Sequence, residues 1–334
     1  MKRISLSLPI YNAPMGKLQQ MARWAEDAKF ETAWDYEFYR SPFMTLGAAA
    51  LTTNRIKLGT GIVVAFSRSP VVTANEAADV DELSQGRMVL GIGAGAGEIL
   101  QTWHNTDLTH AVPRLRDYVA VMRTVWGSVG SGKPASYDGT HYSVKLGGVR
   151  RPLVREHIPV YLAGVQPKLI QLAGEVADGL LGFFYSPQYL KEVIHPNLAL
   201  GAQRGGRAVA GVDLCSFIIC AVSKDRQEAM RRARIQTGYY AVASGAICRW
   251  HGLEKEYLAV REALLTKGPQ ALEHTDDKLV EAFSIAGTPD DCRKQLARYE
   301  GLLPLPLLHT PYIDPLTVEE TEDGFRGILE AFGQ

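Results

Sequence analysis

The sequence predicts a (β/α)8 barrel with insertions. Three observations carry this. Strand-like apolar segments and amphipathic helix-like segments alternate eight times along the 334 residues. The fourth strand-like segment, Met88 to Ile92, is a continuous apolar run of the kind covered on both faces in a parallel sheet. It ends in Gly91, Gly93, Gly95 and Gly97 on alternate positions, so another backbone or a flat group comes close there. An open doubly wound sheet competes, because Gly91, Gly93 and Ala96 satisfy G-x-G-x-x-A. That fingerprint normally sits on the first strand, and EILQTWHNTDLTHAVP reads as broken rather than as the helix it requires. No Lys-Ser or Lys-Thr follows the glycines, which excludes a Walker A loop.

In chain order, ISLSLP alternates as a strand, and GKLQQMARWAEDAKF places Leu18, Met21, Ala22 and Ala25 on one helical face. ETAWDYEFYRSP is a strand with a polar and aromatic end, followed by the helix FMTLGAAALTTN. NRIKLGTGIVVAF is the third strand. The next helix opens with Ser69 as N-cap and Pro70 in its first turn, and stops at Gly86. After the glycines, Pro113 begins another helix. Residues 127–156 contain HYSVKL within a glycine-rich stretch and read as an inserted hairpin. IPVYLAG, DGLLGFF and GVDLCSFIICAVS are further strands, the last followed by a charged helix with Ser223 as its cap. Residues 245–283 are helical but irregular. AGTPDDCRKQLARYEG is a capped helix, LPLPLLHTPY the last strand and TVEETEDGFRGILEAF the closing helix.

A 46% hydrophobic and 22% charged composition is that of a globular enzyme. Lys plus Arg equals Asp plus Glu at 36 each, so no global field attracts nucleic acid or an anionic membrane. Cys215, Cys220, Cys248 and Cys292 show no metal-ligand spacing and read as buried free thiols of a cytoplasmic protein. MKRISLSLPIYNAP is a strand pattern and not a signal peptide, and no run reaches the length of a membrane span.

The strand ends of such a barrel build its active site. Here they carry Asn12, Asp35 to Arg40, Val63 to Ser67, the glycine run, Ala163 to Gln166, Gly182 to Tyr185 and His309. Together AWDYEFYRSPF, RIKLGTGIVVAFSRSP, DELSQGRMVLGIGAG, PVYLAGVQPKLIQLAGEVADGLL and AGTPDD resemble the bacterial luciferase-like superfamily, barrel enzymes that use flavin mononucleotide or the deazaflavin coenzyme F420. The resemblance spans nearly the whole chain, read as a single domain, 1–334. SRSP and YEF are more similar to the F420-dependent branch, which includes methylenetetrahydromethanopterin reductase, than to true luciferases.

The resemblance implies a tricyclic ring in an apolar slot, with Val63, Val64, Phe66, Phe183 and Phe184 suited to line it. It places a bulge with a non-proline cis peptide at Gly61 and Ile62; from the residues alone, Gly61 reads as a strand glycine that permits close packing. It sets Ala94, Gly95 and Ala96 where some relatives carry Thr-Gly-Glu, so the hydroxyl and carboxylate of that motif are lost here. Ala163, Gly164, Val165 and Gln166 match the loop beside the coenzyme's side chain, and Arg68 and Ser69 are candidates to meet a phosphate at a helix start. For proton chemistry, Glu37 lies where relatives carry an acid-histidine pair, with Tyr36 replacing one partner. Desolvation among Trp34, Tyr36 and Phe38 makes Glu37 a candidate acid, the alternative being an ion pair with Arg40. His104, beside Trp103, is the second candidate, and His309 and Tyr312 rank third. The expectation is an F420-dependent oxidoreductase acting on a small molecule. A flavin mononucleotide monooxygenase and a non-catalytic coenzyme-binding barrel are the alternatives. Members of the superfamily commonly pair, so a homodimer through the helix from Val71 to Leu83 is expected.

Overall fold

The computed structural model describes residues 3–9, 13–95 and 97–334, so the expectations for Asn12 and Ala96 lie outside the described residues. The fold class is a (β/α)8 barrel with insertions. The strands are β1 (Ser5–Ser7), β2 (Thr32–Asp35), β3 (Lys57–Thr60), β4 (Val63–Val64), β5 (Met88–Gly93), β6 (Ala135–Asp138), β7 (Ser143–Leu146), β8 (Val160–Ala163), β9 (Gly179–Phe183), β10 (Asp213–Val222), β11 (Ser284–Gly287) and β12 (Leu305–His309). The pair β6–β7 is antiparallel and is the hairpin expected in the 127–156 insertion. Asp117 anchors it, accepting from the Tyr137 hydroxyl at 2.8 Å and the His141 N–H at 2.6 Å. The four cysteines are free and buried. No helix among the described residues is long and apolar enough to cross a membrane.

The chain packs as two compact units. The first comprises Met1–Glu31, Gly182–Lys191 and Cys215–Gln334. Here β12 pairs in parallel with β1 and with the lower part of β10, and the upper part of β10 pairs with β11. The helices Pro289–Leu296 and Val318–Phe332 both open with capping boxes, Thr288 with Asp291 and Thr317 with Glu320. The helix Arg226–Ala243 is capped by Asp225, which accepts the Gln227 N–H at 2.8 Å, and not by Ser223 as expected. Ser223 instead accepts the Asp225 N–H and shapes the turn before the cap. The irregular 245–283 region is helices Gly245–Trp250, Glu254–Lys267 and Asp277–Phe283 with a 3-10 turn, Pro269–His274. β11 follows it and escaped sequence reading, since four residues are too few to establish a period.

The second unit comprises Thr32–Leu181 and Glu192–Leu214. Its strands lie in the order β2, β3, β5, β8, β9, all parallel, and β4 pairs with the upper part of β5. Close approach of β3 to β5 explains the glycines. The Thr60 hydroxyl donates to the Gly91 carbonyl at 2.8 Å and accepts the Gly91 N–H at 2.9 Å. A Cβ on Gly91 would lie 1.9 Å from the Thr60 carbonyl oxygen, and one on Gly93 would meet Ile62 Cδ1 at 2.7 Å and the Ala163 Cβ at 2.8 Å. Protein atoms, not a pyrophosphate, occupy the space those side chains would need. After the run, Gly97–His104 is a helix, contrary to the broken segment expected; burial of Leu100 anchors it in place of periodicity along its length. Arg87 ties the lower end together, donating to the carbonyls of Ile56 and Thr53 at 2.8 Å each and of Ser84 at 2.7 Å.

Two glycine substitutions separate packing from conformation. Gly91→Ala places a methyl group inside van der Waals contact with buried backbone and is expected to abolish folding or to lower the melting temperature by roughly 4 °C or more, on the order of 3 kcal/mol or more. Gly127, in the helix Ala111–Ser131, has nothing within 4 Å of its virtual Cβ, so Gly127→Ala is expected to raise the melting temperature, by about 1 kcal/mol of stability. Thermal denaturation of both variants beside the parent checks the pair.

Candidate active site

The C-terminal ends of β2 and β3 in the second unit are joined by an uncommon arrangement. β3 stops at Thr60 and β4 resumes at Val63, and the Gly61–Ile62 peptide between them is cis, at the position the resemblance implied. A strand interrupted in this way leaves backbone groups without ladder partners. The tail of β2 supplies them. The Gly61 N–H donates to the Asp35 carbonyl at 2.6 Å, and the Glu37 N–H donates to the Ile62 carbonyl at 2.9 Å. The Val64 N–H donates to Glu37 Oε2 at 2.7 Å.

The other Glu37 oxygen, Oε1, accepts from Arg68, so both carboxylate oxygens are occupied. The partner is Arg68 and not Arg40. Spacing along the chain suggested Arg40, but the turn after β4 delivers Arg68 to the carboxylate from 31 residues away. Arg68 also donates to Glu76 at 2.8 Å and lies over the Phe43 ring, so its guanidinium is spread over two carboxylates rather than left open for a phosphate. Ser69 caps the helix Pro70–Leu83 as expected, accepting the Val72 N–H at 3.2 Å.

Asp35, the last residue of β2, carries the property that sequence reading assigned to Glu37. It is fully buried. Its Oδ1 accepts the Tyr36 N–H at 2.8 Å, while its Oδ2 meets no hydrogen-bond partner. Burial pushes its carboxyl up to about 7, with the nearby Thr45 hydroxyl, the Tyr36 N–H and the charge of Arg40 pulling it back in part. Thr45 Oγ1, like Asp35 Oδ2, lacks a hydrogen-bond partner. Asp35 thus holds its proton well above the usual carboxylate range, the environment that makes a carboxyl a candidate acid. The signal in the sequence was TAWD, a short apolar strand closing on a carboxylate.

The other expected residues distribute as follows. Tyr36 is half-buried next to Asp35. His104 ends its short helix, and no hydrogen bond joins it to Asp35 or Glu37; its neighbour Trp103 stacks on Tyr39 and packs against Phe38, each with centroids 5.1 Å apart. Val63, Val64, Ala94 and Gly164 are buried, whereas Gly61, Ile62, Gly95, Ala163, Val165 and Gln166 retain open surface. That open edge is backbone and aliphatic, apart from the Gln166 amide. Phe66 is buried beneath Arg114, 3.8 Å above its ring, so it lines no slot. In the first unit Phe184 is buried against Phe283, and Phe183 remains half-buried.

Asp35 has a measurable consequence. Between about pH 4 and pH 7 the native protein keeps a proton that the unfolded chain releases, so the stability contributed by this carboxyl is complete below about pH 4 and is lost as pH rises through about 7. The loss is on the order of 4 kcal/mol. Asp35→Asn, uncharged at every pH, is therefore expected to raise the melting temperature at about pH 8 and to change it little at about pH 4. An equal loss of stability at both pH values contradicts a buried protonated acid.

Known proteins share this architecture. A 5,10-methylenetetrahydromethanopterin reductase of Archaeoglobus fulgidus is 33% identical over 286 residues, 82% of this chain and 83% of the relative. A solved coenzyme F420 dependent tetrahydromethanopterin reductase of Methanopyrus kandleri superposes with a TM-score of 0.82 over 99% of both chains at 24% identity. An F420-dependent secondary alcohol dehydrogenase, solved with an F420-acetone adduct, superposes with a TM-score of 0.75 over the full length of both chains at 20% identity. The model of the luciferase-like monooxygenase family matches residues 5–304. The chain belongs to the luciferase-like monooxygenase family.

Proposed function

We propose that this protein is an F420-dependent oxidoreductase that passes a hydride between the deazaflavin C5 and a small organic substrate, at a C=C or C=N bond or an alcohol or carbonyl carbon. The observation that carries the reading is the pairing of a buried carboxyl, Asp35, with an open aliphatic edge formed by Gly61, Ile62 and Ala163. Similarity to the Archaeoglobus reductase over most of both chains supports it.

The residues fit such a coenzyme. A flat heterocycle needs an uncharged edge to rest on and few polar anchors, and the cis-peptide segment and the end of β8 provide that edge. The coenzyme supplies the hydride chemistry. Glu37 acts as a positioning residue: through the Val64 N–H and Arg68 it holds the segment that would support the ring. Asp35 holds and releases a proton at Oδ2, and burial places that exchange near neutrality. With the coenzyme bound, Gly95 would offer backbone, Val165 and Gln166 would border its side chain, and Ser69 at the start of Pro70–Leu83 would meet the phosphate. Tyr36 and His104 are second in line for the proton.

Equilibrium titrations of the same purified protein with F420 and with flavin mononucleotide test the assignment, and tighter binding of F420 is expected. Tighter binding of flavin mononucleotide, with oxygen uptake when a reductase is supplied, establishes the monooxygenase reading instead; binding of either without turnover of any substrate leaves a coenzyme-binding barrel. In the F420-loaded enzyme, Asp35→Asn is expected to lower turnover by roughly 10²-fold and remove the ionisation near pH 7 from the rate profile. Glu37→Gln is expected to weaken coenzyme binding while keeping that ionisation. The helix Pro70–Leu83 also exposes Val72 at 47% and Leu83 at 49%, which supports a homodimer through this face. Sedimentation at micromolar concentration is expected to give twice the chain mass of 36.6 kDa, and a monomer rejects the interface.

A further inference from the structure

The second unit contains a cleft of about 330 Å³ along the helix Ala111–Ser131, remote from the C-terminal strand ends. Arg123, Trp126, Gly127 and Gly130 line it at helical spacing and so share one face of that helix. Glu156 and His157 form the facing wall, just before the N-terminal start of β8. The cleft therefore lies at the opposite end of β8 from Ala163.

Asp178 builds one side of the cleft. Its Oδ1 is hydrogen-bonded to His157 Nε2 at 2.9 Å, and its Oδ2 accepts the Val160 N–H at 2.8 Å. The same Oδ2 meets Arg123 Nη2 only at 3.4 Å, and the buried Arg123 Nε has no hydrogen-bond partner among the described residues. A guanidinium has five N–H donors, and one long bond uses little of that capacity. Glu156 is exposed in the facing wall and forms no ion pair with Arg123 among the described residues. Two opposite charges thus border one space without neutralising each other, which suits a ligand that carries both signs.

The surface beside these charges is apolar. Trp126 is buried with its indole N–H donated to the Ala74 carbonyl at 2.9 Å, so what it adds to the cleft is aromatic hydrocarbon. Gly127 is exposed within the helix and has nothing within 4 Å of its virtual Cβ. Glycine is the poorest helix former after proline, and no close packing requires it here. Its effect is to keep the cleft open, since a longer side chain would project into it.

We propose that this cleft binds a free α-amino acid with an apolar side chain, its carboxylate on Arg123, its ammonium on Glu156 and its side chain over Gly127 against Trp126. Asp178 is a positioning residue that holds Arg123 and His157 at the start of β8. The proposal does not rest on the oxidoreductase reading, and its test needs no coenzyme. L-phenylalanine, 3-phenylpropanoate, which lacks the ammonium, and 2-phenylethylamine, which lacks the carboxylate, are titrated calorimetrically into the full-length protein. Saturable binding of phenylalanine is expected, with each analogue about tenfold weaker or more. Glu156→Gln is expected to bring phenylalanine and 3-phenylpropanoate to near-equal affinity, and Arg123→Met to do the same for phenylalanine and 2-phenylethylamine. Gly127→Leu fills the cleft from the helix and is expected to remove binding while the melting temperature holds or rises. Absence of saturable phenylalanine binding overturns the amino-acid class, and equal binding of either analogue by the parent protein overturns the two-charge recognition. Binding that survives in folded Gly127→Leu, or that ignores both Glu156→Gln and Arg123→Met, overturns the site.

Discussion

The carboxylate of Glu37 is the constraint on which the candidate site depends. A strand broken at Gly61–Ile62 cannot satisfy its own amides, and Glu37 answers this at two points, through its backbone N–H on Ile62 and through Oε2 on the Val64 N–H. Its second oxygen recruits Arg68, and Arg68 reaches Glu76 on the helix Pro70–Leu83. One side chain thereby links the end of β2, the start of β4 and the following helix. Remove it, and a buried amide and a largely buried guanidinium both lose a partner, which costs far more than an exposed ion pair.

That clamp leaves Asp35 free for a different task. The two carboxylates stand two residues apart and have opposite environments: Glu37 has both oxygens engaged, and Asp35 has one oxygen without a partner in an apolar setting. Divergent environments for neighbouring acids separate a structural role from a proton-exchanging one. The arrangement carries a cost to stability above neutral pH, the pattern expected where a site retains a strained or desolvated group for function.

Much of the fold was legible because it rests on local rules. Alternating βα periodicity gave the barrel, and Ser69 before Pro70 and the TPDD segment announced their helices through capping chemistry that needs only a few residues of sequence. The hairpin in 127–156 was visible for the same reason. The site was legible in part. Gly61–Ile62 was located through family resemblance, since from residues alone Gly61 reads as a packing glycine. Asp35 was passed over in favour of Glu37 because burial depends on which part of the strand end is covered, and sequence does not reveal that for residues two positions apart. The Glu37–Arg68 pair spans 31 residues and the Arg123–Asp178 contact spans 55, and tertiary packing alone decides such pairings. The glycine run was read correctly as a place of close approach, but what approaches, the carbonyl of Thr60, emerges only from the register of β3 on β5.

In the proposed function, the edge formed by the interrupted strand and the end of β8 holds the deazaflavin ring. Backbone hydrogen exchange, measured by mass spectrometry with and without F420, tests it most directly. Exchange is expected to slow in peptides covering residues 61–66 and 163–166 on F420 addition, with the slowing in 61–66 reduced in Glu37→Gln. Saturating F420 that leaves both segments unchanged, or that protects other segments alone, contradicts it.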